Sequence, residues 1–297
     1  MRFDVYSPLV LSLLLSAVGP LTARRVAPAL AARVLASAAV LTAAATTWSL
    51  FLLAAALVGH APPVIREARA DGHPVTDPVP GAIGLAACLA LAAIAVRVYR
   101  AVRAEARTRR ALRLLCAAHP EGTELIVAAC EVPRAFAIPG RPGRILVTSG
   151  MLSVLGPAER RVLLAHERAH LTHRHGPLLT AATLAAAADP LLAPVRRAVG
   201  FLVERWADEQ AAATVGDRRT AARALARAAL TAGRDHTACA LHFTDRAVTR
   251  RIAALQTSPP PRLWPAAAAV LLLGALPALL AADATDDLLR LLSGVLD

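Results

Sequence analysis

Four apolar runs, Val5 to Thr22, Val34 to Gly59, Pro80 to Val96 and Pro265 to Ala282, constrain this chain more than any other feature. Each approaches or exceeds the ~20 residues a helix needs to cross a hydrocarbon core of ~30 Å. Apolar residues make up 56% of the sequence, so these runs are not isolated core segments of an ordinary soluble protein. Much of the apolar content is alanine, which inserts weakly and leaves the run ends soft. The first run has only Arg2 ahead of it, and Arg24 and Arg25 follow directly. It therefore reads as an anchor with its C-terminal flank inside, not as a cleaved leader.

Charge orients the runs. Arg24, Arg25 and Arg33 fill the first loop, whereas between His60 and Val79 Arg66 and Arg69 face Glu67, Asp71 and Asp77. After the third run come Arg97, Arg100, Arg103, Arg107, Arg109, Arg110 and Arg113, opposed only by Glu105. The positive-inside rule then places the N-terminus outside and the segment after Val96 in the cytoplasm. The expected organisation is three transmembrane helices within 1–96 (about 5–22, 34–59 and 80–96) and a cytoplasmic domain over 97–262. A last transmembrane helix over 263–282 and a short acidic external tail over 283–297 follow. This describes a multi-pass protein of the cell membrane.

The net charge of +12 carries no sign of direct nucleic-acid binding. All basic residues are arginines, they cluster beside the spans or on Ala/Arg helices, and aromatics are 3%. Anionic lipid headgroups are the partner such a distribution suits, although a genome rich in arginine and alanine codons would give the same pattern. Cys88, Cys116, Cys130 and Cys239 show no Cys-x-x-Cys spacing and read as reduced structural thiols.

Within the cytoplasmic segment, His166-Glu167-Arg168-Ala169-His170 carries chemistry. Residues four apart on a helix lie one turn above each other, so both imidazoles address one point, with Glu167 at its edge. The run Pro157 to Ala165 supports a helix start, with Pro157 at its first position and Glu159 in its first turn. The helix is expected to continue to about His175, before Gly176-Pro177. Zinc at such a point lowers the pKa of a bound water to about 7, and Glu167 is placed to accept its proton.

A catalytic zinc needs a third protein ligand and an open position. His173 lies about 10 Å further along the same axis and cannot share the ion with His166. Glu204, in Val203-Glu204-Arg205-Trp206-Ala207-Asp208-Glu209, is the best donor. Asp208, one turn on, is positioned to hydrogen-bond the outer nitrogen of a ligand histidine. His175, His236, His242 and Arg251 are candidates for a second oxyanion donor, each equally readable as an ordinary surface or core residue. Between the two motifs, the apolar stretch 177–203 is broken by Asp189-Pro190, Pro194 and Arg196-Arg197. A shared zinc requires it to cross the membrane an even number of times. The favoured arrangement is no crossing, with a membrane-skimming or buried helical pair; a re-entrant hairpin is the alternative. Strand patterns at Glu124 to Val132, Ala135 to Ile138 and Arg144 to Thr148, with a Gly140-Arg141-Pro142-Gly143 turn, predict a small antiparallel sheet against the zinc helix. Its edge would receive an extended substrate as an added strand.

The two motifs in order, inside a chain with several apolar runs, resemble the membrane zinc peptidases of the HtpX type and of the BlaR/MecR regulatory type. The resemblance runs from about Glu131 to Leu255. Gly216-Asp217-Arg218-Arg219 and Ala247-Val248-Thr249-Arg250-Arg251-Ile252 before a proline run are similar to the actinobacterial BlaR-like branch. It implies a thermolysin-like metallopeptidase with a glutamate third ligand: one zinc ion per chain on His166, His170 and Glu204, with Glu167 as the catalytic base. The expected fold class is mainly α, with multispanning helices and a small α+β zincin-like domain. A penicillin-binding sensor domain is not expected, so antibiotic sensing does not carry over. The implied substrate is a cytoplasmic or membrane protein, by analogy a BlaI-type transcriptional repressor. HtpX-like quality control and a non-catalytic membrane transducer are the alternatives.

Overall fold

The computed structural model describes residues 7–22, 25–55, 57, 80–117, 120, 122–232, 238–258 and 263–296, apart from the side chains at 22, 232, 238–245, 280–284 and 286–296. The fold is mainly helical with one small sheet. Helices α1 (Ser7–Thr22), α2 (Pro28–Ala55) and α3 (Gly81–Ala117) precede the strands. Of these, α2 and α3 are long and apolar enough to cross a membrane; Ser7–Leu21 and Trp264–Leu279 are shorter apolar stretches. The last helix, α10 (Trp264–Leu296), continues past 282, because the acidic residues there do not break helical spacing.

Side-chain contacts give the relative directions. Leu35 of α2 sits by Gly19 of α1, and farther along the pair Thr46 and Ser12 share a partner, so α1 and α2 run antiparallel. The α10 chain passes Ala38 of α2 at Gly274 and reaches Trp48 with Thr285, whose hydroxyl accepts the indole N–H at 2.7 Å; these two helices run parallel. Gly274 is required at the crossing, since a Cβ there would lie 2.4 Å from that of Ala38. Leucine faces at Leu13, Leu89, Leu272 and Leu279 point outward from this bundle.

The sheet differs from the expected antiparallel arrangement. Its order is β1 (Leu125–Ala128), β3 (Arg144–Thr148), β2 (Ala135–Ile138), with β1 parallel and β2 antiparallel to β3. The Gly140–Gly143 turn does make β2 and β3 a hairpin. The cause of the mixed pairing lies in the 129–134 connection, which passes β2 to the far side of β3 instead of turning back on β1. Thr148 pins that connection: its hydroxyl donates to the Val132 carbonyl at 2.8 Å and accepts from the Arg134 amide at 2.9 Å. Gly150 permits the close approach, because a Cβ there would sit 1.9 Å from the Glu131 carbonyl oxygen. β3 is buried throughout, and β2 is left as an edge.

After a short helix α4 (Ser149–Val154) comes α5 (Pro157–Thr172). Its start follows the sequence signals: Pro157 in the first turn, and the Glu159 carboxylate accepting the Gly156 amide at 2.9 Å. Its end does not. Arg174 takes a left-handed conformation (φ 52°, ψ 49°), and a new helix α6 (His175–Ala188) begins at once. Gly176 and Pro177 thus lie in the first turn of α6, where a proline is tolerated. A 3-10 turn (Pro190–Leu192) leads into α7 (Ala193–Val215), which ends on Gly216 at φ 74°. Helices α8 (Arg218–Ala232) and α9 (Ala238–Gln256) complete the domain.

The 177–203 segment is therefore a buried helical hairpin. Leu192, Val195, Val199 and Val203 share one apolar core with Leu15, Ala32 and Leu35 of α1 and α2. At its tip the buried Asp189 carboxylate accepts hydrogen bonds from Ser12 (2.5 Å) and Thr46 (3.3 Å), and Ser16 donates to the Leu191 carbonyl. These bonds satisfy a polar group whose burial in an apolar layer would otherwise be costly. α7 is about 35 Å long at 1.5 Å per residue. Its first half belongs to the helical bundle, and its second half lies beside α5.

Candidate metal centre

The two halves of the centre come from α5 and α7. Helical spacing places His166 and His170 on one face of α5, with their Nε2 atoms 3.1 Å apart. Glu204, at the point where α7 leaves the bundle, brings its carboxylate oxygens to 3.5 Å from His166 Nε2 and 3.7 Å from His170 Nε2. Ligands at ~2.05 Å in tetrahedral geometry stand about 3.3 Å from one another, so this triangle fits one zinc ion. One donor atom from each residue lies within 4.8 Å of the others, and this trio is partly buried, leaving an approach from the cleft.

Asp208 takes up the outer nitrogen of His166, its Oδ1 lying 3.1 Å from Nδ1. This leaves Nε2 of His166 for the metal. Asp208 is in turn held by Arg251 of α9 through two hydrogen bonds of 2.7 Å, Nε to Oδ2 and Nη2 to Oδ1. A third guanidinium nitrogen reaches Glu204 at 3.1 Å. Arg218 sets α9 in place: it pairs with Glu209 and donates to the carbonyls of Ala254, Leu255 and Thr257 at 2.9–3.0 Å. Arg251 is thus turned onto the carboxylates behind the metal position.

These neighbours divide the protonation states. Burial opposes charge on His166, but hydrogen bonds to Asp208 and Glu204 outweigh it and raise its pKa to about 10. Burial dominates at His170 and lowers it to about 4. For Glu204, burial acts upward, yet His166 and Arg251 bring the carboxyl down to about 2. Asp208 is lowered against its own burial by the same two partners. Among the carboxyls of this centre Glu167 alone moves upward, because burial dominates over the nearby His166 charge. A raised carboxyl is suited to accepting and passing on a proton.

A cleft of about 330 Å³ opens over this group. One wall is the β2 edge (Ala135, Phe136, Ala137 and Pro139); the other is Glu167 and Leu171 of α5 with Leu179 of α6. His175 is buried at its inner end, its Nδ1 3.0 Å from Nδ1 of His170. Burial lowers the His175 pKa to about 3. His236 lies outside the described residues, and for His242 only the backbone, in α9, is described. Three further residues at the centre had no signal in the sequence: Trp206 and Arg33, which stack behind His175, and Arg218. Arginine after an acidic helix end was visible; its target was not.

The profile of Peptidase family M48 matches residues 101–185. Over 52 residues the chain is 44% identical to a protein named Protease HtpX homolog from Persephonella marina, covering 17% of this chain and 18% of that one. A Protease HtpX homolog from Thermoplasma acidophilum is 42% identical over 62 residues, 20% of this chain and 19% of its own length. The matched stretches thus span under one-fifth of those relatives. No solved structure matches the chain. The segment bearing His166, Glu167 and His170 falls within the stretch that is similar to Peptidase family M48. Glu204 lies beyond the matched family segment, so its inclusion rests on geometry. Both relatives carry the HtpX name, and neither comparison supports the BlaR/MecR branch suggested by the sequence motifs.

Proposed function

We propose that this chain is a membrane-embedded zinc endopeptidase of the HtpX kind, cleaving membrane or cytoplasmic proteins. The observation that carries the reading is the His166–His170–Glu204 triangle with Glu167 beside it at the floor of a strand-edged cleft. Bound zinc would supply a Lewis acid and an acidified water. With zinc held by His166, His170 and Glu204, Glu167 would be the group that accepts a proton in the cleft and passes it to a leaving amine. The β2 edge aligns an extended substrate through main-chain hydrogen bonds. Arg251 and Asp208 keep the ligand side chains oriented, so little reorganisation accompanies the reaction.

Both named relatives favour the HtpX-like reading over cleavage of a repressor. The intact, buried Glu167 favours a peptidase over a transducer, since a purely structural zinc site needs no base and is closed by a fourth ligand. The domain facing the cytoplasm agrees with the arginine distribution, and anionic lipid is the partner that distribution suits. Arg97, Arg100 and Arg196 line one pocket of about 400 Å³, and among the described residues none of them has a salt bridge.

Glu167→Gln separates these readings. It should retain one zinc per chain and lose cleavage of an unfolded protein substrate by about 10²-fold or more. Equal cleavage by the wild type and the variant, or no zinc on the wild type, would overturn the peptidase assignment.

A further inference from the structure

Behind the metal position lies a stack of side chains that the hydrolytic reading does not use. His175 is 1% exposed, yet its Nε2 has no hydrogen-bond partner among the described residues. Its ring packs on Trp206 with centroids 4.5 Å apart, and His173 stacks on the same indole at 4.7 Å. The guanidinium of Arg33, near the start of α2, sits 4.4 Å from the Trp206 centroid. The left-handed Arg174 makes the stack possible by folding α6 back so that His175 lies against His170. A non-glycine residue held there is strained, and the surrounding packing must offset it.

We propose that His175 is a positioning residue for the ligand His170, and that Arg33 of α2 holds it in place through Trp206. The proton inventory supports the first half. When Nε2 of His170 faces a metal, its Nδ1 carries the proton and must donate it. The acceptor 3.0 Å away is Nδ1 of His175, which fixes the His175 proton on Nε2. That Nε2 position has no hydrogen-bond partner among the described residues, and the ring itself packs tilted against the Trp206 indole. His166 is oriented by a carboxylate and His170 by a second imidazole, so the two ligands differ in basicity. The second half follows from the path of the chain. Trp206 lies two residues beyond Glu204 on α7, and Arg33 reaches it from an apolar helix long enough to cross a membrane. A displacement of α2 would therefore be felt at His170 without any contact between α2 and the metal.

The inference rests on the metallopeptidase reading, and zinc and cobalt binding test the two separately. The probes are zinc affinity by chelator competition and the visible spectrum of the cobalt-loaded full chain in nanodiscs. His175→Phe, which keeps a ring against Trp206, should weaken zinc binding by about 10- to 100-fold and shift the cobalt bands. His175→Asn places an amide oxygen where Nδ1 was and should restore affinity to within about threefold, whereas His175→Gln, whose oxygen lies at the Nε2 position, should not. Arg33→Met should weaken zinc binding by about two- to fivefold, the scale of an exposed cation–π contact. It should have no further effect in the His175→Phe background. A wild type that binds no zinc would remove the metallopeptidase reading itself. Wild-type zinc binding with unchanged affinity and spectrum in His175→Phe, equal behaviour of the Asn and Gln variants, or an additive Arg33→Met effect would overturn the positioning role.

Discussion

Removal of the Arg251 side chain as Arg251→Met keeps most of its length and apolar contact but deletes the fork that faces Asp208 and Glu204. The Asp208 side chain is 7% exposed and that of Arg251 13%, so the pair is little screened by water. Two bonds of 2.7 Å and a third contact of 3.1 Å are lost together. At an effective dielectric of ~20, opposite charges ~4 Å apart attract by about 4 kcal/mol. Stripping one partner from a buried pair costs about 3–5 kcal/mol, because the other charge stays buried. His166 still faces Asp208, so the lower end, about 3 kcal/mol, applies to the metal-free protein. For a cooperative unit of ~150 residues this corresponds to a fall of about 10 °C in Tm. Zinc should narrow the gap, since its charge on Glu204 replaces part of what the guanidinium supplied. Arg251→Lys retains a charge without the fork and should recover about half the loss. The assay is thermal unfolding by tryptophan fluorescence in nanodiscs, with and without zinc. A metal-free Arg251→Met protein melting within about 2 °C of wild type would refute the clamp, as would a lysine variant indistinguishable from the methionine one.

Zinc uptake should release a proton. Metal-free His166, raised to about 10, is charged at pH 6 and must be neutral as a ligand, whereas His170 at about 4 is already neutral. At pH 6, below the ~7 at which zinc-bound water ionises, an indicator dye should report about one proton per zinc, with affinity rising as pH rises; no release would contradict the His166–Asp208 assignment. Gly274→Ala should destabilise the bundle by about 1–3 kcal/mol or more through its 2.4 Å clash with Ala38, whereas Gly200→Ala, which meets nothing within 4 Å, should be neutral or stabilising. Differential scanning calorimetry of the two would expose an error in the helix crossing if they melted alike. Arg100→Gln with Arg196→Gln should reduce retention of phosphatidylglycerol over phosphatidylcholine in native mass spectrometry; equal retention would remove the headgroup reading.

The zinc helix and both of its histidines were legible because one-turn spacing is a local property, visible in five residues. Glu204 was legible for a different reason: three ligands could not come from one helix, and a carboxylate with a second one a turn away, at Asp208, suits a ligand with its orienting partner. The sheet pairing was not legible, because strand order depends on where the 129–134 connection crosses, and that is decided by the Thr148 hydroxyl and the absent Cβ of Gly150. The end of α5 misled for a similar reason. Gly176-Pro177 reads as a stop, but the break falls at Arg174, whose left-handed conformation no propensity favours. Arg251 was singled out only as a candidate oxyanion donor; its guanidinium is instead taken up by Glu204 and by Asp208, 43 positions away in sequence on α7, through the Arg218 anchor.

The hairpin of α6 and α7 links the histidine pair to Glu204 along the chain, and its apolar surface is buried in one core with α1, α2 and α10. The third donor thus comes into register only once the apolar helices have assembled around that hairpin. An unassembled chain would hold two imidazoles and no carboxylate beside them, too few to retain zinc. Metal acquisition would then act as a checkpoint on insertion, with the donor set complete only in the properly seated chain.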